Sequence, residues 1–130
     1  MADFTNSCAT ILPGFGAPAQ RQKTVDNVEN AGANALPTLT FSPGIRRGYW
    51  RLRSKSVNGA TTTTAFKITA SDGSTTVSIY SALGGDLGAA GVAFDTMRPF
   101  ILDIVATTFI ATVTTANNVS TWDFEVVGGN

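Results

Sequence analysis

Tyr49-Trp50-Arg51-Leu52-Arg53-Ser54-Lys55-Ser56-Val57 is the stretch that decides the fold. It alternates, with Trp50 and Leu52 on one side and Tyr49, Arg51, Arg53 and Lys55 on the other, which is the period of a half-buried strand. The inner side builds core. The outer side sets its cations about 7 Å apart, from a rise of about 3.3 Å per residue.

The rest of the chain agrees with a pleated fold. Its 130 residues suit one domain, and 19 threonines with abundant Val, Ile, Phe and Gly favour sheet and turn over helix. We therefore expect an all-β, single-domain β-sandwich or small jelly-roll-like barrel. Residues 45–130 form that domain, and residues 1–44, which hold four of the five prolines, read as an extended or irregular N-terminal arm with one short helix conceivable around Gln20 to Glu29. Phe4, Ile11, Leu12 and Phe15 make the arm too apolar to be a disordered tail, so they are candidate contacts to the chain's own sheet or to a neighbour.

Turn residues suggest registers. Asp72-Gly73 marks a two-residue hairpin that sets Ile68 opposite Val77 and Phe66 opposite Ile79. Asn58-Gly59 needs a longer loop, because only an odd spacing pairs Trp50 with Ile68 and Leu52 with Phe66. That register lays Arg51 directly across from Lys67. Asn117-Asn118 closes a second hairpin, with Val113 facing Trp122 and Ala111 facing Phe124. The glycine-rich residues 83–91 read as a surface loop, followed by a short strand at Val92 to Phe94. Phe100 to Ala106, apolar on both sides apart from Asp103, reads as a strand covered on two faces.

Chemistry is hard to place in this sequence. There is no histidine, which removes Ser-His-Asp and Cys-His systems and the commonest metal ligand. Cys8 is the single cysteine, so no internal disulfide forms, and as a lone thiol near the terminus it reads as a packing residue. Asp123 and Glu125 share one side of a strand, the arrangement of a carboxylate pair, but lie among threonines as a solvated face would. Gly14 to Pro18 has no preceding strand and so is no phosphate loop. No catalytic residue, cofactor or metal is expected, and the chain reads as a non-enzyme.

Nine basic and nine acidic residues cancel. Eight of the cations fall between Arg21 and Lys67 and six of the acids between Asp72 and Glu125, so a fold that keeps those segments on different faces would be electrostatically two-sided. The start Met-Ala-Asp-Phe-Thr-Asn has no signal-peptide pattern and no apolar run reaches the roughly 20 residues that span a bilayer, which favours a soluble protein made in a cytoplasm. Tyr49, Arg51, Arg53, Lys55, Lys67 and Tyr80 form the candidate partner-binding face, since like charges set opposite each other ask for an acidic partner.

In overall style, a short, histidine-free, Thr- and Gly-rich β chain with an N-terminal arm resembles the capsid decoration, or cement, proteins of tailed phages. The resemblance implies a virion structural protein on the capsid surface. Its partner would be the major capsid protein or another virion protein, and the molecule itself a homo-oligomer, by preference a trimer. A carbohydrate- or receptor-binding sandwich of a phage tail or fibre, stacking on Tyr49, Trp50 or Tyr80, is the alternative. A single-stranded nucleic-acid binder on the Tyr and Arg face fits the zero net charge less well.

Overall fold

The computed structural model describes residues 19–28, 32–57, 63–83, 95–115 and 120–130. Seven strands account for nearly all of them: β1 (Gln20–Val28), β2 (Gly32–Ala35), β3 (Leu39–Val57), β4 (Thr63–Ser71), β5 (Thr76–Leu83), β6 (Asp95–Thr115) and β7 (Ser120–Gly129). Every pairing is antiparallel, in the order β1-β7-β3-β6-β4-β5, with β2 also on β6. The fold is all-β, as the composition indicates.

Two strands are too long to stay straight. At about 3.3 Å per residue the 21 residues of β6 would extend about 70 Å, against a radius of gyration of about 14 Å for a domain of this length. β3 and β6 therefore turn a corner together. Between Thr40 and Ile45, four residues of β3 stand against one of β6; between Ile45 and Arg47, one residue of β3 stands against residues 102–105 of β6. Gly44 permits the close approach, because a Cβ there would lie 2.8 Å from the Ala106 carbonyl oxygen.

The corner divides the sheet into two layers, as in sandwiches whose strands change sheets at bulges. The first layer is β1, β7, the second half of β3 and the first half of β6. The second is β2 and the start of β3, the second half of β6, β4 and β5. Trp50, Leu52, Phe100, Trp122, Phe124 and Val126 from the first face Phe66, Ile68, Phe109, Ala111 and Val113 from the second, all buried in one core. Aromatic rings lock the layers: Trp50 lies 6.0 Å from Phe66 and 5.1 Å from Tyr80, and Phe100 lies 5.4 Å from Phe109.

The structure corrects several pairings. β3 and β4 are not neighbours, so Trp50 meets Phe66 across the sandwich and not within a meander. β6 and β7 form no hairpin; β7 pairs β1 and β3. Most side assignments survive, because residues that face each other across a core alternate with the same period as residues paired in a sheet, but Tyr80, expected on the outer face, packs against the core. The turn after β4 has four residues, with the Asp72 carboxylate accepting from Ser74 N (2.8 Å) and Thr75 N (2.7 Å) and Gly73 at φ 98°. Ala70 is thus opposite Val77, and a bulge after Ile68 brings Tyr80 opposite it.

The described residues between 20 and 44 are mostly strand. Gln20–Val28 is a strand on the edge of the first layer and not a helix, because β7 offers it a full ladder of backbone partners. Its Arg21 and Lys23 are the charged residues that suit an edge. β3 already begins at Leu39, so no boundary falls at residue 44. Phe4, Ile11, Leu12, Phe15, the Asn58-Gly59 and Asn117-Asn118 turns and the strand at Val92 to Phe94 lie outside the described residues, as does most of the glycine-rich loop.

Candidate functional site

The outward rows of the first layer can be read strand by strand from β1 through β7 and β3 to β6. Arg21, Val127, Tyr49 and Pro99 form one row; Lys23, Glu125, Arg51 and Met97 the next; Val25, Asp123, Arg53 and Asp95 a third. Cations come from β1 and β3, and acids from β7 and β6. The fold does not keep the two segments on different faces. Antiparallel pairing interleaves the basic first half of the chain with the acidic second half, and the charges meet on one face.

They pair mostly along diagonals, which long side chains reach across a sheet. Arg51 holds Asp95 through two bonds, Nε to Oδ1 at 2.9 Å and Nη2 to Oδ2 at 2.6 Å. That fork keeps the Asp95 carboxyl below its ordinary range and raises Arg51 further. Arg21 pairs with Glu125. Asp123 is 2 % exposed and lies between Lys23 (3.2 Å) and Arg53 (2.8 Å). Burial pushes its carboxyl up, but the bonds from Arg53 and Lys23 outweigh burial and hold it below the usual carboxylate range.

The face also carries apolar surface. Among the described residues the large apolar side chains that remain exposed are Val25, Tyr49, Met97, Ile101 and Val105. Met97 is 62 % and Ile101 85 % exposed, and both lie on β6 with Val105, while Tyr49 is opposite Pro99. The outer face of the second layer instead presents Lys67 beside Ser81 and Thr112, over a shallow depression of about 350 Å³ that Thr114 and Ala65 also line.

The residues expected to form one basic face are thus distributed. Tyr49, Arg51 and Arg53 share the first layer's outer face, whereas Lys67 is on the opposite side of the sandwich. Arg51 does not face Lys67, and Arg51 and Arg53 call for no acid from outside, since Asp95 and Asp123 respectively supply their carboxylates. Tyr80 is half-buried, stacked on Phe66 at 5.5 Å, with the Arg98 guanidinium 5.0 Å from its ring centre. Lys55 lies in β3, but its side chain is outside the described residues. Sequence reasoning misses Met97 and Ile101, because Phe100 to Ala106 reads as covered on both sides whereas its odd positions are open. Among the described residues no group of three or more His, Cys, Asp or Glu side chains could hold a metal.

No family model and no curated protein matches the sequence. The fold has counterparts among solved structures. The Yersinia pseudotuberculosis-derived mitogen aligns over 85 % of this chain and 86 % of its own at TM-score 0.52 and 9 % identity. A family 29 carbohydrate binding module, CBM29-2, aligns over 82 % and 70 % at TM-score 0.50 and 11 % identity. A protein of Bacillus endospore appendages, which are disulfide-linked pili, aligns over 85 % and 88 % at TM-score 0.48 and 13 % identity. The class that fold and pairing define is the antiparallel β-sandwich. At these identities the likeness concerns the fold alone.

Proposed function

We propose that the protein is a non-enzymatic structural module that attaches to a virion protein surface, as a capsid decoration protein does, through the outer face of its first layer. The carrying observation is that the exposed Val25, Tyr49, Met97 and Ile101 lie on that one face. Exposed apolar surface gathered on one side and bordered by polar groups is what a protein interface has. The ion pairs support the same reading, because carboxylates already bound to arginine are not orphaned when a partner covers them. The partner is the major capsid protein or another virion protein, and the module works as a homo-oligomer, by preference a trimer. A sugar-binding role draws less support: Trp50 is buried and Tyr80 is packed into the core, leaving Tyr49 as the exposed ring of the three.

The test is co-sedimentation with purified empty shells of the virus that carries it, comparing the wild type with Met97→Glu and Ile101→Glu. Burying one such side chain contributes about 1.5–3 kcal/mol, so each variant should bind at least about tenfold more weakly with an unchanged melting temperature. Equal binding by both variants would exclude this face, and a wild type that stays in the supernatant would exclude the shell as partner.

A further inference from the structure

The corner of β3 carries a second feature, which shares only Ile101 with the proposed attachment face. Arg46 and Arg47 line a cavity of about 300 Å³ together with Ile101, Leu102 and Asn130. Successive residues of a regular strand point to opposite faces. Here the ladder is interrupted: Arg46 is the one residue of β3 set against residues 102–105 of β6, and pairing resumes at Arg47 with Ile101. The interruption lets two neighbouring guanidinium groups border one hollow.

Their lack of partners sets them apart. The sequence has six arginines. Arg21, Arg51 and Arg53 each hold a carboxylate, and Arg98 lies over the Tyr80 ring. Arg46 and Arg47 make no ion pair among the described residues, although the same molecule provides acids for every other cation of β1 and β3 whose side chain is described. Two adjacent like charges repel, and an anion held between them would relieve that repulsion.

We propose that this cavity is an oxyanion site, in which Arg46 and Arg47 clamp a carboxylate or phosphate group against Ile101 and Leu102, with the Asn130 side-chain amide available as a further donor. Planar guanidinium forks match both anions, and two of them present more donors than one anion needs, so selectivity is for charge and for two or more adjacent oxygens. The group has two sources, a free anion or an acidic side chain of a protein partner. Neither arginine is needed for the attachment proposed above, so either reading survives failure of the other.

The test is a titration of isotope-labelled protein followed by NMR, at an ionic strength of about 0.01 M, where the Debye length is ~30 Å and charges are weakly screened. Inorganic phosphate is the probe in one arm and hexaglutamate in the other. The expected result is saturable shifts of the Arg46 and Arg47 side-chain N–H signals and of the Ile101 and Leu102 amides. The Arg46→Ala/Arg47→Ala double variant, its fold checked by an unchanged thermal melt, should bind at least tenfold more weakly, while Arg51→Ala should titrate like the wild type. Saturation by phosphate assigns a free oxyanion, and saturation by hexaglutamate alone assigns acidic side chains. Shifts that remain linear with both probes, or that persist in the double variant, would overturn the site.

Discussion

Replacing Asp123 with Asn tests whether the buried carboxylate holds β1 and β3 to β7 by charge. Asp123 is 2 % exposed, and it accepts from Lys23 on one side and Arg53 on the other. Removing one member of a fully buried pair costs about 3–5 kcal/mol. The Lys23 and Arg53 side chains are each 34 % exposed, so water screens part of the loss. A value of about 2 kcal/mol follows, between the buried limit and the at most about 1 kcal/mol of an exposed pair. Urea unfolding followed by circular dichroism measures it.

The same variant fixes the pH dependence. In the folded chain Asp123 ionises below its ordinary value, so its contribution is fully present above the unfolded value of about 4 and disappears as pH falls through the folded one. The stability gap between wild type and Asp123→Asn should be complete at neutral pH and close as pH falls below about 4. Asp95 and Asp72 are also held low, by Arg51 and by the Thr75 and Ser74 amides, so the wild type loses further stability over the same window. A loss under about 0.5 kcal/mol at neutral pH, the range of an ordinary surface change, would refute the pairing argument. An equal loss at pH 2 would show that shape, and not charge, is what the substitution removes.

Two further outcomes follow from packing. Gly48→Ala would place a Cβ against the Val127 carbonyl oxygen and 2.6 Å from Gly128 Cα, so β3 and β7 must part; thermal melts should show a loss of about 3 kcal/mol, against about 1 for Gly73→Ala, whose turn has open space and only a positive φ to strain. Trp50→Ala should cost about 3–5 kcal/mol in urea unfolding and remove the near-ultraviolet signal of the Trp50, Phe66 and Tyr80 cluster, which an intact signal would contradict.

Alternation is legible wherever one face is core. Trp50, Leu52, Phe66 and Ile68 are fully buried, and Val77 and Ile79 pack against them in part. Strand partners are not legible, since a turn signal such as Asp72-Gly73 reports that the chain reverses and says little about how many residues it uses. The length of β6 does leave a trace: residues 95–115 contain no glycine and no two-residue turn, which is the mark of one unbroken strand and hence of a corner. Reading Phe100 to Ala106 as a separate element conceals it, and with it the exposed positions of Met97 and Ile101.

The charge pattern shows most clearly what pairing adds to sequence. With cations concentrated in its first half and acids in its latter half, the chain by itself suggests a molecule with two poles. Strand order turns that segregation into alternation, because β7 inserts between β1 and β3 and β6 lies along the far side of β3. A blockwise sequence thus yields a face of satisfied pairs, with Arg51 on Asp95 and Arg53 on Asp123, and electrostatics favours this strand order over one that leaves β1 beside β3. The cations that escape the pattern are informative for the same reason. Arg46 and Arg47 sit where the ladder breaks, and no acid among the described residues pairs with them, which is why an external anion is proposed for the corner.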